Sequence, residues 1–160
     1  MTSVIHTHTQ KKGSFVVKSN GYPGCPIEIR GPDDLTAKFT GGGYAVDQAA
    51  FTIVGNDVSL TSVSIEQIRR GVVIDGACGT HLAFVSINGV GEEGVVVVNR
   101  ARGTRITSSW ITATGRSDPD AGYGIVVGGS DSRDDCLETV ISSCLFLTKI
   151  TKQAIFIGAA

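Results

Sequence analysis

Short apolar runs recur along residues 51–158, each followed by a loop: FTIVG, GVVIDG, GVVVVNR, GIVVGG and AIFIG. With Ile53, Ile74, Val98, Val127 and Ile157 as equivalent anchors, the intervals are 21, 24, 29 and 30 residues. A second series interleaves with the first: LTSVSI (60–65), LAFVSI (82–87), ITSSWI (106–111) and VISSCL (140–145), with starts 22, 24 and 34 residues apart. The two keep phase at 7, 8 and 8 residues, until DSRDD stretches the fourth gap to 13. Phased strands at this period predict a solenoid, because one coil cannot bury its apolar face without neighbours above and below. The expected fold is all-β: a single-stranded parallel β-helix of about five to six short coils.

One domain accounts for the 160 residues, with 1–24 as an N-terminal arm or cap and 25–160 as stacked coils. The 41% hydrophobic and 18% charged composition is that of a folded globular chain, and 21 glycines favour tight turns over helices. A formal net charge of −1 offers no electrostatic case for nucleic acid. No apolar run reaches the ~20 residues that cross a bilayer, so no membrane partner is expected. Met1 to Lys12 lacks the apolar core of a secretory signal. The four cysteines, Cys25, Cys78, Cys136 and Cys144, form no CxxC pair and are expected as free, mostly buried thiols.

Further expectations follow along the chain. SFVV (14–17) reads as a first strand, IEIRG (27–31) alternates as a strand, and GGG (41–43) is a turn without the GK[ST] ending of a phosphate loop. If Phe51/Ile53, Val72/Ile74, Val96/Val98, Ile125/Val127 and Ile155/Ile157 point inward, then Thr52, Val73, Val97, Val126 and Phe156 stack outside. An apolar column on an outer face calls for a cover: a loop, a second subunit or a glycan. Ile155 and Ile157 would lie beside an uncapped C-terminal coil. The expected self-association face is therefore Val73, Val97, Val126, Phe156, Ile155 and Ile157. In the second series, Ser64, Ser86, Trp110 and Cys144 share one position, and Ser62, Phe84, Ser108 and Ser142 another. Hydroxyls at such bends can satisfy backbone groups that leave the ladder.

Chemistry is expected where the period breaks. TGRSDPDAG (114–122) and GSDSRDD (129–135) flank one strand and gather Asp118, Asp120, Asp131, Arg133, Asp134 and Asp135 into a rim. Clustered carboxylates can hold calcium or serve as an acid/base pair on a glycoside, yet they also make ordinary turns. Neither segment carries the spaced DxDxDG of a calcium loop. No metal site is assigned. Glu92 and Glu93 face opposite ways in a strand, and Arg69, Arg70, Arg100, Arg102 and Arg105 sit near coil edges, able to hold an anionic sugar or keep the edge soluble. No Ser/His/Asp or Cys/His arrangement is readable, so no catalytic residue is assigned.

PIEIRG, RRGVVIDGACGTHLAFVSINGVGEEGVVVVNR, TGRSDPDAGYGIVVGG, DSRDD and QAIFIG together resemble right-handed parallel β-helix proteins of the pectate-lyase-like superfamily, over roughly residues 26–158. The resemblance implies a right-handed helix and an extracellular or virion-associated setting. It extends to lyases, glycosidases, phage tail spikes and members with no known reaction. It also implies that a lyase of this kind would hold calcium with carboxylates on the outer face of its first sheet and abstract a proton with Arg or Lys. On that strip this chain has Val97, Tyr123, Gln153 and Phe156, with Asp75 as the lone carboxylate.

These features predict a non-catalytic β-helix that assembles with copies of itself, end to end or as a trimer, with no cofactor. The alternatives are an extracellular polysaccharide lyase or glycoside hydrolase using the acidic rim, with calcium as a conceivable ion, and a carbohydrate-binding module.

Overall fold

The computed structural model describes residues 11–129 and 135–158. The chain winds repeatedly through three parallel sheets in the same order. The first sheet holds Phe15–Val17, Ala49–Ile53, Arg70–Asp75, Val95–Val98, Ile125–Val127 and Ile155–Ile157. The second holds Ile27–Arg30, Val58–Thr61, His81–Ala83, Arg105–Thr107 and Val140–Ser142. The third holds Lys11–Lys12, Lys38–Thr40, Ser64–Glu66, Ser86–Asn88, Trp110–Thr112 and Leu145–Phe146. Every strand pairs in parallel with its equivalent one coil away, which is a right-handed parallel β-helix. Phe15–Val17 already pairs with Phe51–Ile53, so stacking starts ahead of residue 25.

Inward residues form continuous columns. In the first sheet these are Phe15, Phe51, Val72, Val95, Ile125, Ile155 and Val17, Ile53, Ile74, Val97, Val127, Ile157. Ile53, Ile74 and Val97 are wholly buried. This corrects the predicted phase of GVVVVNR by one residue: Val97 belongs to the core, and Val96 joins Thr52, Val73, Val126 and Phe156 outside. The physical reason lies at Gly71, Gly94 and Gly124, which stack on one another. A Cβ at Gly71 would meet Gly94 O at 2.3 Å, one at Gly94 would meet Gly124 O at 2.6 Å, and one at Gly124 would meet Ala154 O at 2.4 Å. Bare backbone is required at this corner, and it fixes the phase of the residues that follow.

A second one-residue correction falls in VISSCL. Ile141 and Phe146, not Val140 and Leu145, continue the inner columns of Ile106 and Ile111. Val140 and Leu145 face outward, 49% and 48% exposed. Four equivalent corners between the second and third sheets turn through one residue at positive φ: Ser62 (54°), Phe84 (54°), Ser108 (47°) and Ser143 (53°). Ser143 therefore takes the place predicted for Ser142, and Leu145 stacks on Trp110 where Cys144 was expected. Next to that turn, the Ser109 hydroxyl donates to Thr107 O (2.9 Å) and accepts from Val85 N (3.1 Å), serving backbone groups that have left the ladder. Cys144 sits one coil on, its Sγ 3.5 Å from Ile106 O.

The expectation of mostly buried cysteines fails: Cys25 and Cys78 are exposed, and Cys136 and Cys144 are partly so. Cys25 and Cys78 lie on corners, where side chains point away from the core columns.

Candidate functional site

The outer face of the first sheet gathers the chemistry. Its middle column is Thr52, Val73, Val96, Val126 and Phe156, each half-buried. Pairing of Val72 with Val95, Val95 with Ile125 and Ile125 with Ile155 places Arg70, Glu93, Tyr123 and Gln153 in a second column, two residues before. On the opposite side of the strip stands Asp75, whose Oδ1 accepts from Asn99 Nδ2 at 2.5 Å.

At one end of the strip, Tyr123 and Phe156 meet at 5.2 Å between ring centroids, and Lys152 Nζ lies 4.7 Å from the Tyr123 ring centroid. A 3₁₀ turn, Pro119–Ala121, holds this lysine in place. Lys152 Nζ donates to Asp120 O at 2.6 Å, Lys152 N to Gly122 O at 3.1 Å, and Thr151 Oγ1 to Pro119 O at 3.0 Å. Asp118 caps the turn, accepting from Asp120 N at 3.0 Å. The Tyr123 hydroxyl is the first influence raising the Lys152 pKa above its ordinary value, outweighing partial desolvation; the charges of Asp120 and Asp118 add to it. Lys152 therefore stays an ammonium through the neutral range.

Behind this end lies an ion-paired cluster. Buried Glu92 accepts from Arg69 Nε at 2.7 Å and lies 2.6 Å from Arg69 Nη2. Arg70 Nη2 stands 2.8 Å from Glu92 Oε2 as a charge contact without hydrogen-bond alignment. Arg70 also reaches Glu93 (3.1 Å) and Asp47 (2.7 Å). The hydrogen bond to Glu92, then its charge, raises the Arg69 pKa. The expectation that Glu92 and Glu93 diverge within a strand fails: both precede the Val95–Val98 strand, and Arg70 reaches the carboxylates of both. The turn they anchor accepts the segment leading to Lys152's support: Gly115 N donates to Glu92 O (3.0 Å) and Ser117 N to Gly91 O (2.9 Å).

Of the predicted acidic rim, Asp118 and Asp120 precede the Ile125–Val127 strand, whereas Asp135 follows it, at the strand's other end. Asp131, Arg133 and Asp134 lie outside the described residues. Among the described residues no three His, Cys, Asp or Glu side chains come together as a metal site. Val73, Val126 and Phe156 lie on the outer column; Val97 does not, and Ile155 and Ile157 continue the inner columns, 40% and 73% exposed. Sequence reasoning missed Lys152. Aligning GYGIVV with KQAIFI would have placed it one residue before the Tyr123 column.

No family model and no curated protein matches the sequence. Among solved structures, the fold matches the alginate lyase from Paenibacillus sp. str. FPU-7 with a TM-score of 0.87 and 22% identity. The match covers 95% of this chain and 53% of that one, so this chain spans about half the length of the lyase. The stacked inner columns, the three parallel sheets and this superposition give the molecule a right-handed parallel β-helix fold.

Proposed function

We propose that the outer face of the first sheet binds an acidic polysaccharide and cleaves it by β-elimination at Tyr123 and Lys152. The observation that carries this reading is a protonated lysine held against a tyrosine on an apolar, aromatic-edged strip. The name of the structural neighbour, an alginate lyase, supports the substrate class.

Elimination from a uronate needs three things: a positive charge on the C6 carboxylate, a base for the C5 proton and a proton for the departing oxygen. Lys152 supplies the charge, because its raised pKa keeps it cationic and unfit as a base. The Tyr123 oxygen takes the C5 proton. The C5–H electron pair becomes the C4–C5 double bond, the C4–O bond breaks, and the tyrosine proton passes to that oxygen. Val73, Val96, Val126 and Phe156 offer apolar surface to sugar ring faces, so the column taken as a self-association face is assigned here to the glycan.

A hydrolase reading is less well supported. Its carboxylate pair must be free to exchange protons, whereas Glu93 is bound by Arg70, Asp75 by Asn99, and Asp118 by backbone. A polymeric substrate places the proposed site of action outside the cell.

The test is incubation with alginate and other polyuronates, reading the ultraviolet absorbance of the new double bond. Tyr123→Phe and Lys152→Ala are each expected to lower kcat by at least about a hundredfold. Folded protein that leaves every polyuronate intact, or releases reducing ends without the double bond, would overturn the proposal.

A further inference from the structure

The outer face of the second sheet poses a different electrostatic problem. Register stacks Ser59, His81, Arg105 and Val140 in one outward column, with Thr61, Ala83, Thr107 and Ser142 in the next. His81 and Arg105 are thus direct neighbours on adjacent rungs, about 4.8 Å apart along the axis. Protonation of His81 would set like charges opposite one another on the sheet, which is unfavourable. Arg30, Arg69 and Arg70 each have a carboxylate partner, but among the described residues neither Arg105 nor His81 has one within ion-pair distance.

The other groups around His81 do not answer that charge. Thr107 Oγ1 lies 3.0 Å from its Nε2. Glu28, two rungs away, sits 4.0 Å from Arg30. Asp57 and Glu138 lie at corners ahead of their strands. Burial first, and the charge of Arg105 second, lower the His81 pKa. His81 is half-buried and Arg105 is exposed.

We propose that Arg105 and His81, flanked by the hydroxyls of Ser59 and Thr107, form a second anion site that takes a carboxylate of an acidic glycan chain. An anion bridging the two rungs would supply a countercharge that Arg105 lacks among the described residues, and its two oxygens match donors stacked one above the other. The ligand class rests on the reading of the first sheet; the site itself does not.

The experiment uses full-length Tyr123→Phe protein, so that a hexameric oligouronate stays uncut, with sodium sulfate as a second probe. The His81 ring resonances are followed by NMR, and affinity by calorimetry. The oligouronate is expected to shift His81. Arg105→Gln should weaken that response about tenfold, and Arg105→Lys should largely keep it. Adding Lys152→Ala to the Tyr123→Phe background should leave the His81 response intact. A response unchanged by Arg105→Gln, or none at all, would overturn the site. Sulfate binding as tightly as the oligouronate would mean an adventitious ion only, and would overturn it too. Should the wild type fail to cleave polyuronates while His81 still responds, the elimination reading falls and this site stands.

Discussion

The first and second sheets share one backbone ladder and similar inner columns, Ile53, Ile74 and Val97 in one, Leu60, Leu82 and Ile106 in the other. Their outer faces differ. The first carries an apolar strip on which Arg69 and Arg70 are paired with Glu92, Glu93 and Asp47, and Lys152 is held by a backbone carbonyl. The second carries hydroxyls around Arg105 and His81, which have no carboxylate within ion-pair distance among the described residues. The interior leaves little freedom, since each buried side chain must fit those above and below it. The exterior is free of that demand, so charge placement there reports on what the surface meets.

The largest effects should be the activity losses at Tyr123 and Lys152, which lie on the first face alone. Stability separates the two faces next. Glu92→Gln should cost about 2–3 kcal/mol: breaking a buried pair is costly, but both guanidiniums reach solvent and soften the loss. Arg105→Gln on the second face should change stability by less than about 0.5 kcal/mol, because Arg105 is exposed and has no carboxylate partner among the described residues. Urea denaturation measures both, and equal losses would break the contrast.

Inside and outside are separated by neighbouring valines. Val97→Ala should cost about 1.5 kcal/mol through lost burial, and Val96→Ala well under about 0.5 kcal/mol. The reverse ranking would restore the phase read from the sequence.

The smallest effect is in pH. His81 titrates below its ordinary value in the folded chain, so between the two values the unfolded chain binds the proton and the folded chain does not. The stability associated with His81 is therefore level above about pH 6.5, falls as pH drops towards the folded value, and levels off below it. Arg105→Gln should make that decline shallower, as seen in urea midpoints at neutral and mildly acidic pH.

The coil architecture was legible because Ile53, Ile74 and Val127 each sit in a run with recognisable ends. Val95 to Val98 was not, since four identical side chains carry no alternation, and the phase had to come from elsewhere. Gly71, Gly94 and Gly124, ahead of the three middle runs, hold that information, though only as a requirement for backbone contact one coil away. In VISSCLF the same ambiguity arises because Val140 and Ile141 are both apolar and only one faces in. The Tyr123–Lys152 pair was hidden for another reason. The residues lie a coil apart in sequence, and their meeting depends on the 3₁₀ turn at Pro119–Ala121. Glu92 and Glu93 were read by a strand rule as diverging, but they lie ahead of the strand, and one guanidinium reaches both.

The stacked glycines at Gly71, Gly94 and Gly124 also bear on how a chain of this kind can change length over evolutionary time. Gain or loss of a whole circuit leaves one bare corner resting on the next and every side chain facing as before. A single-residue deletion inside a strand would turn its core residues towards water and lift that corner off its neighbour. Odd-sized insertions must therefore collect where the ladder is already interrupted. The stretch carrying Asp118 and Asp120 is such a place, and the novelty it can absorb lies directly beside Lys152.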